Sequence, residues 1–319
     1  MSTTNLNELG DSLRSIDQAF KKQIEPYRQD LWRFCMHLTK SPWDAEDLVQ
    51  DTLLKSLSVL AKVYQPVNTK SYLFKIASNL WIDQMRKTKK HTDIIQATVS
   101  QDKLDNYQFE LIEHLEIVIT LLTPTQYVTL ILGDVFLFKG KEIAEIIGSS
   151  QSAVNTNLHR ARNIMKKKHL DLQAVILKDY KKDVQTSKAM NLLLEGFRKK
   201  DAKLIASLLD ENIVTDIVHS GFEMGANETR NNSLNDWHNI VRDQQDIVVN
   251  YIELWGQRVL VEMEKKQDNE LYLNNIHYLE ITDNKITYWK FYCFSWDIMK
   301  RAAEALEVQL NARYYYHIF

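Results

Sequence analysis

The spacing of apolar positions predicts helices throughout the first half of the chain. Apolar residues recur at intervals of three and four over residues 24–38, and Ser41 and Pro42 then interrupt the pattern. A further apolar stripe runs through residues 72–90, a segment that ends in basic residues. These patterns predict a helical bundle over residues 16–90, after a polar N-terminal stretch that we expect to be frayed.

Residues 140–162 predict two short helices joined by a tight turn. The first helix has an apolar face, Gly148 is placed to end it, and Ser149 and Ser150 supply hydroxyls that can cap the second helix. One side of the second helix is apolar, formed by Val154, Leu158, Ala161 and Met165. Its other sides carry residue types that contact DNA, namely Gln151, Ser152, Asn155, Thr156, His159, Arg160 and Arg162.

Short polar groups at the start of such a helix can reach base edges in a major groove, whereas arginines further along meet phosphates. The segment therefore indicates a DNA-binding helix-turn-helix. The alternative is an ordinary helical hairpin with a solvated polar face.

The periodicity changes near Thr186, where a mixed pattern of helices and strands begins. A helix is predicted at residues 232–242, around Trp237. Strand-like segments occupy residues 213–218, 247–251, 259–263, 271–281 and 286–296. Hairpin turns are expected at Gly256-Gln257 and at Asp283-Asn284. The second half of the chain is thus predicted to be an α+β domain with an antiparallel sheet.

Three motifs in order resemble the extracytoplasmic-function (ECF) sigma factors, the two-domain minimal form of the sigma-70 family. The acidic segment from Asp44 to Leu54 resembles the part that docks on the clamp helices of RNA polymerase. The helix-turn-helix resembles the reader of the promoter −35 element. The helix that melts and reads the −10 element is matched by Ala77, Asn79, Asp83, Arg86 and Lys87. The resemblance covers roughly residues 15–169, and Tyr127 departs from it by standing near a position where relatives often carry arginine.

The resemblance implies three sets of site residues. Residues that bind core polymerase would be Asp44, Glu46, Asp47, Leu48, Asp51 and Leu54. Residues that bind DNA at the −10 element would be Asn79, Asp83, Arg86, Lys87, Lys89 and Lys90. Residues that bind DNA at the −35 element would be Ser150, Gln151, Ser152, Asn155, Thr156, His159, Arg160, Arg162 and Lys166. Trp81 lies on the apolar side of its helix, so core packing is favoured over base stacking.

The predicted fold class is multidomain, with two all-α domains followed by an α+β cone-like domain. The C-terminal part resembles the SnoaL-like or NTF2-like domain that some ECF sigma factors carry. The expected divisions are a helical domain like sigma region 2 at 16–90, a linker at 91–108, a helix-turn-helix domain like sigma region 4 at 109–169, a connector at 170–185 and the NTF2-like domain at 186–319.

The charge is unevenly divided between the two halves. Residues 186–319 hold 15 Lys and Arg against 20 Asp and Glu, whereas residues 1–185 hold 25 against 22. Lysine-rich runs at 86–91 and 166–169 end the two predicted DNA-binding elements, which fits contact with phosphates. The modest net charge indicates weak DNA affinity alone, with polymerase supplying the rest.

Catalytic chemistry in the C-terminal part has few candidates. Asp216 or His219 could act as a general base, with Tyr251 or Trp255 lining a cavity, but the histidines (with His238 and His277) are widely spaced and no recognised catalytic motif appears. Core packing is the favoured interpretation of the many aromatic residues there, ahead of small-molecule sensing. No enzyme activity, cofactor or metal site is predicted.

The favoured function is an alternative sigma factor that binds core RNA polymerase and promoter DNA, with the C-terminal domain regulating it in cis through a possible ligand or protein. The rivals are a cone-fold enzyme or small-molecule sensor with a DNA-binding regulatory module, and a plain transcription regulator. Without an export leader or a long apolar run, and with Cys35 and Cys293 in apolar segments, a cytoplasmic location without membrane contact is expected.

Overall fold

The computed structural model describes residues 6–60, 68–96, 121–168 and 181–311 of the chain. The chain divides into an N-terminal unit, Met1–Lys178, and a C-terminal unit, Asp179–Phe319. The predicted fold class is confirmed, because the first unit is helical and an α+β unit follows it.

The N-terminal unit has six described helices. They are α1 (Leu6–Thr39), α2 (Pro42–Leu60), α3 (Thr69–Gln96), α4 (Pro124–Leu130), α5 (Gly140–Ile147) and α6 (Gln151–Lys168), with a π-helical turn at Ile131–Val135 after α4. Thr123 caps α4 through a hydrogen bond from the backbone N–H of Gln126, and the Gln126 side chain accepts from the backbone of Thr123 in return.

Two helix boundaries differ from the prediction. Helix α1 begins at Leu6, inside the stretch expected to be frayed. Helix α3 continues to Gln96, six residues into the predicted linker. At the start of α1, Leu6, Leu9, Leu13 and Ile16 do recur at helical intervals, but the polar composition of the stretch outweighed them in the prediction. Residues 91–96 carry only the adjacent pair Ile94 and Ile95, which gives no helical periodicity. The rest of that linker lies outside the described residues, as does most of the segment from Leu111 to Leu122, for which the sequence predicts a helix.

The two helical parts of the N-terminal unit share one core. Buried residues of α1, α2 and α3 pack continuously with buried residues of α4, α5 and α6. Sequence patterns predicted two separate helical domains, whereas the described helices form one packed body. The reason is a set of aromatic residues between the two parts, whose partners no local pattern could identify.

The C-terminal unit contains eight strands and five α-helices among its described residues. The helices are α7 (Lys188–Arg198), α8 (Ala202–Ser207), α9 (Ala226–Thr229), α10 (Asn235–Arg242) and α11 (Trp296–Leu306), with a π-helical turn at Arg230–Leu234. The strands are β1 (Lys181–Asp183), β2 (Leu209–Ile217), β3 (Gly221–Met224), β4 (Asp246–Leu254), β5 (Gln257–Lys265), β6 (Leu271–Thr282), β7 (Lys285–Phe291) and β8 (Gln309–Leu310).

The strands form one sheet in the order β1-β4-β5-β6-β7-β2-β3, and β8 pairs with β6 beside this path. All neighbours on the path are antiparallel except β2 and β7, which are parallel. One core of this unit joins the sheet to α7 and α10, and Phe197, Trp237 and Trp289 are among its largest members. Helices α7 and α10 therefore cover one face of the sheet.

Two tight hairpin turns shape the sheet. Trp255 and Gly256 link β4 to β5 with φ values of 50° and 80°, and Asp283 and Asn284 link β6 to β7 with φ values of 51° and 61°. Positive φ at both central residues is the geometry that suits a two-residue hairpin. The second turn is where it was predicted, whereas the first lies one residue before the predicted Gly256-Gln257.

Five elements of the C-terminal unit were not predicted, namely α9, α11, β1, β3 and β8. The last strand was predicted to run to residue 296, but it ends at Phe291, and helix α11 begins at Trp296. Strand β1 lies within the predicted connector and pairs with β4. Residues 170–180 of that connector lie outside the described ranges. Among the helices that the structure does describe, none is both long enough and apolar enough to cross a membrane.

Candidate functional site

An acidic face runs along the outside of α2. Asp44, Asp47 and Asp51 are exposed, and Leu54 on the same face is 61% exposed. These positions fall at intervals of three and four residues, so the helix presents them on one side. We call these four residues the α2 acidic face. A large apolar side chain among carboxylates offers both charge and contact area to a partner.

Two of the residues predicted to bind polymerase do not belong to this face. Glu46 is 0% exposed, and one of its carboxylate oxygens accepts a hydrogen bond of 3.1 Å from the indole Nε1 of Trp32. Leu48 is also buried. Because each residue of an α-helix turns the side chain by about 100°, Glu46 points away from Asp44 and into the core. The prediction that Glu46 lies on the surface was wrong.

Helix α3 exposes the polar residues predicted for the −10 element. Asn79, Asp83, Arg86 and Lys87 are all exposed, at spacings that place them on adjoining sides of the helix. An Arg86 guanidinium nitrogen lies 3.7 Å from an Asp83 carboxylate oxygen. The side chains of Lys89 and Lys90 lie outside the described part of the structure.

Trp81 has the role in core packing that its spacing favoured. Its side chain is only 2% exposed, and its ring lies 5.3 Å from the ring of Tyr127, centroid to centroid. Burial also raises the pKa of the Tyr127 hydroxyl, so that it stays protonated. Trp81 is therefore not available as a stacking platform in this conformation.

The helix-turn-helix was correctly located by the sequence. Helix α5 ends at Gly148, which has the left-handed conformation (φ 65°, ψ 46°) that favours glycine. The Ser150 hydroxyl accepts a hydrogen bond of 3.2 Å from the backbone N–H of Ala153 and so caps α6. The predicted apolar side of α6 is buried, as Val154, Leu158, Ala161 and Met165 all show.

The opposite side of α6 exposes the predicted reading residues. Ser150, Gln151, Ser152, Asn155, Thr156, His159, Arg160 and Lys166 are exposed, and five of them line one shallow groove. Asn155 also lies close to the start of α5, because a β-carbon on Gly140 would be 3.2 Å from its side-chain oxygen. Three lysines in the last turn of α6 interact favourably with the helix dipole.

Arg162 differs from the other predicted phosphate contacts. Its guanidinium makes hydrogen bonds of 2.5 to 3.2 Å with both carboxylate oxygens of Asp134, in the π-helical turn after α4. The hydrogen bonds with Asp134 raise the pKa of Arg162 above its ordinary value, and they join α6 to the π-helical turn at Ile131–Val135. Arg162 therefore holds the reading helix in place in this conformation, and Asp134 is a positioning residue that the sequence did not reveal.

The structure does not bring together the candidate catalytic residues of the C-terminal unit. Asp216 is paired with Lys290 and accepts a hydrogen bond from Tyr288. His219 lies in the turn between β2 and β3, and Trp255 lies in a hairpin turn at the far end of β4. His238 is exposed on α10, and Tyr251 is half-buried on β4. No acid–base pair forms from these residues.

A different buried polar chain crosses the core of this unit. Trp237 Nε1 donates to one carboxylate oxygen of Glu262 at 2.9 Å, and His277 Nε2 lies 3.2 Å from the other oxygen. Trp289 Nε1 donates to His277 Nδ1 at 3.1 Å. Glu262 is 1% exposed and His277 0%. We call these four residues the buried polar chain.

The hydrogen bonds of the buried polar chain assign its protons. An indole Nε1–H can only donate, so His277 Nδ1 must accept and the histidine proton must sit on Nε2. That proton is donated to Glu262, which accepts from both sides. Both carboxylate oxygens and both imidazole nitrogens thus have partners, as buried polar groups require. The chain is closed to solvent and offers no group to a substrate.

Comparisons with known proteins agree with the helical half. The family model described as Sigma-70 region 2 matches residues 23–91. The RNA polymerase sigma factor SigV of Bacillus subtilis is 34% identical over 148 residues, which cover 45% of this chain and 86% of SigV. The ECF RNA polymerase sigma factor SigM of the same species is 29% identical over 145 residues, covering 44% of this chain and 88% of SigM.

Among solved structures, the ECF sigma factor SigJ of Mycobacterium tuberculosis is similar over 85% of this chain and 95% of its own, with 18% identity and a TM-score of 0.31. The stretch matched by the Sigma-70 region 2 model contains α2 and most of α3, and the 148 residues similar to SigV cover 86% of that protein. The chain belongs to the ECF group of the sigma-70 family of RNA polymerase sigma factors.

Proposed function

We propose that this sigma factor docks on core RNA polymerase through the α2 acidic face, reads the −10 element with α3 and reads the −35 element with α6. The α2 acidic face carries the proposal, because three exposed carboxylates and an exposed leucine on one helix side form a surface that a basic, partly apolar partner surface would complement. A plain DNA-binding regulator has no need for such a face.

In vitro transcription tests this function directly. Purified core polymerase, the full-length chain and genomic fragments should yield transcripts that start at specific sites and depend on the added protein. If core polymerase produces the same transcripts without it, or if the protein binds DNA but never supports initiation, the sigma function would be refuted.

We expect the α6 surface to separate base reading from phosphate contact. Asn155→Ala or Arg160→Ala should cost about 1–3 kcal/mol at the preferred −35 sequence and should relax selectivity at one base pair. Lys166→Ala should instead weaken binding about equally for all sequences, because a phosphate carries no base identity.

A library of −35 variants transcribed in competition measures both effects. Lys203→Ala is the control, since Lys203 is an exposed lysine on α8 of the C-terminal unit, outside the proposed surfaces. Equal selectivity of the Asn155, Arg160 and wild-type proteins would remove the support for base reading by α6.

The C-terminal unit acts in cis as a regulator in this proposal. It follows the DNA-reading unit in one chain, so its effective concentration near that unit is high, and its sequence carries the opposite charge balance, 15 basic against 20 acidic residues.

Removal of the C-terminal unit should change promoter-dependent transcription several-fold while core binding is largely retained. The chain should be ended after Lys178, because a cut near Asp183 would leave β1 on the shortened chain without β4, the strand with which it pairs. The measurement compares both proteins at several salt concentrations. Equal transcription at every salt concentration would show that the unit does not regulate the sigma activity.

A further inference from the structure

Side chains fill the space between the sheet of the C-terminal unit and helices α7 and α10. The Phe197 ring lies 5.0 Å from that of Trp237 and 6.2 Å from that of Trp289, centroid to centroid. Glu262 and His277, the polar groups at this place, are closed to solvent within the buried polar chain. A small molecule that binds this unit would therefore bind at its surface.

An open cleft of about 740 Å³, a volume typical of small-ligand sites, lies where β3 ends and α9 begins. Gly225 makes the turn between the two elements with a φ of 87°, and its N–H donates to the Ile213 carbonyl at 2.7 Å. A β-carbon there would be 3.2 Å from the Glu211 carbonyl oxygen, so glycine allows α9 to start close to β2. We call this the β3–α9 cleft, and the larger side chains that line it are Glu211, Asn212, Met224, Asn227 and Arg230.

Arg230 has unused hydrogen-bond donors at the β3–α9 cleft. Its Nη1 donates to Asn227 Oδ1 and its Nη2 donates to the Ala206 carbonyl, each at the long distance of 3.4 Å. A guanidinium has five N–H donors, so these bonds use two of them. The side chain is exposed and begins the π-helical turn at Arg230–Leu234, a local helix deformation that is frequent at functional sites. Arg230 is therefore placed to bind an anionic group.

Glu211 supplies the opposite charge at the same cleft. Its side chain is exposed and forms no hydrogen bond or ion pair with any residue that the structure describes, Arg230 included. Glu211 would repel a lone anion in the cleft, and Arg230 would repel a lone cation. A molecule that carries both an ammonium and a carboxylate group can instead pair with both residues at once.

From this arrangement we propose that the β3–α9 cleft binds a free amino acid or a short peptide, with the carboxylate on Arg230 and the ammonium group on Glu211. Met224, which is 64% exposed, offers an adaptable apolar contact to the side chain of the ligand. The amides of Asn212 and Asn227 can bond a peptide group. The role of this ligand as the input of a regulator in cis rests on the proposed function, whereas the binding itself does not.

The methyl group of Met224 reports binding directly. The full-length chain is isotopically labelled at its methionine methyl groups for NMR, and Met224→Leu identifies the Met224 resonance. The probes are each protein amino acid and the glycyl dipeptide of each, so the result also distinguishes a free amino acid from a peptide. At least one probe should shift the Met224 resonance in a saturable way, while the buried Met190 and Met299 stay in place. If no probe shifts it, the inference is wrong.

Removal of one charge at a time, from ligand and protein in turn, tests the two contacts. Wild type should bind the free probe on the order of tenfold more tightly than its C-terminal amide, whereas Arg230→Gln should bind both forms equally. N-acetylation of the probe and Glu211→Gln form the second cycle, with the same expectation. Arg258→Gln is the control, since Arg258 is an exposed arginine on β5 outside the cleft and its loss should keep the wild-type preference. Titrations at about pH 6 keep the ammonium group of each unacetylated probe protonated.

Two results would overturn the assignment of the cleft. One is equal binding of the free and amidated probes by wild type, and the other is a preference for the free carboxylate that persists in Arg230→Gln. Both variants change exposed side chains, so the fold should persist, and the resonances of Met190 and Met299 check it. Loss of binding in a chain that supports promoter-dependent initiation removes only this inference. Binding by a chain that never supports initiation contradicts the proposed function and leaves the ligand site in place.

Discussion

Charge reversal on the α2 acidic face is expected to reduce binding to core RNA polymerase on the order of 100-fold. The double variant Asp47→Lys, Asp51→Lys replaces two exposed carboxylates by ammonium groups, and like charges placed opposite one another at an interface cost several kcal/mol. The dissociation constant of the full-length protein for purified core polymerase measures the effect. Because both side chains are exposed, the helical signal and the melting temperature should stay close to wild type.

Two controls separate docking from folding. Glu25→Lys reverses an exposed charge on α1, which is not part of the α2 acidic face, and should bind polymerase as wild type does. Glu46→Lys replaces the buried acceptor of the Trp32 indole by a buried ammonium group. We therefore expect this variant to lower the free energy of unfolding, unlike the change at Asp47 and Asp51. Wild-type affinity of the Asp47, Asp51 double variant would contradict the assignment of this face.

Loss of Glu262 is expected to be the most damaging single change in the C-terminal unit. Glu262→Ala leaves the N–H groups of the Trp237 indole and the His277 imidazole without their acceptor in a closed core, and each buried donor left unpaired costs about 1–3 kcal/mol. Hydrogen exchange of β5 and β6 peptides in the full-length chain reports the loss, since these strands exchange through global opening of the unit. Transcription by the variant would then resemble that of the chain ended after Lys178.

The conservative change Glu262→Gln should also be costly, and for a specific reason. Glutamine has one oxygen acceptor, yet two N–H groups point at this position and Trp289 holds the His277 proton on Nε2. One donor must therefore remain unpaired, at a cost of about 1–3 kcal/mol. Adding Trp289→Phe frees the imidazole tautomer, so the double variant should lose less than the sum of the two single changes.

The exposed Glu280 on β6 offers the control for these variants. Glu280→Gln should change the exchange of the same peptides by no more than about 0.5 kcal/mol. Protection of the Glu262→Gln variant at the wild-type level would mean that the proton assignment of the buried polar chain is incorrect.

Sequence periodicity was sufficient for the elements that carry the family function. Helix α6 has its buried apolar side at residues 154, 158, 161 and 165, and its polar side faces outward. This arrangement follows from the sequence, because apolar residues three and four positions apart fall on one side of any α-helix. Gly148 ends α5 in the left-handed conformation that its identity predicted. The three ordered motifs identified the family for the same reason, since each is a local pattern.

Other positions depended on partners that are distant along the chain. In residues 259–264 of β5, Val-Leu-Val-Glu-Met-Glu, the two glutamates alternate with apolar residues, an alternation typical of a strand with one face in solvent. The strand is covered on both faces instead, and Glu262 lies in the core. Glu46 was assigned to the surface by its charge, whereas Trp32, fourteen residues earlier, supplies the buried donor that accommodates it. In both cases a hydrogen-bond partner from another element decided whether a charged residue could be buried.

The sequence by itself determined the helical character of the first half, the turn that joins α5 to α6, the α+β class of the second half and the family. Only the tertiary structure decided that the two helical parts share a core, that Arg162 pairs with Asp134, and that Glu262 and His277 lie in a buried polar chain. The division has one physical cause. Backbone hydrogen bonds and apolar periodicity act over a few residues, whereas packing of aromatic and charged side chains joins residues that sequence order keeps far apart.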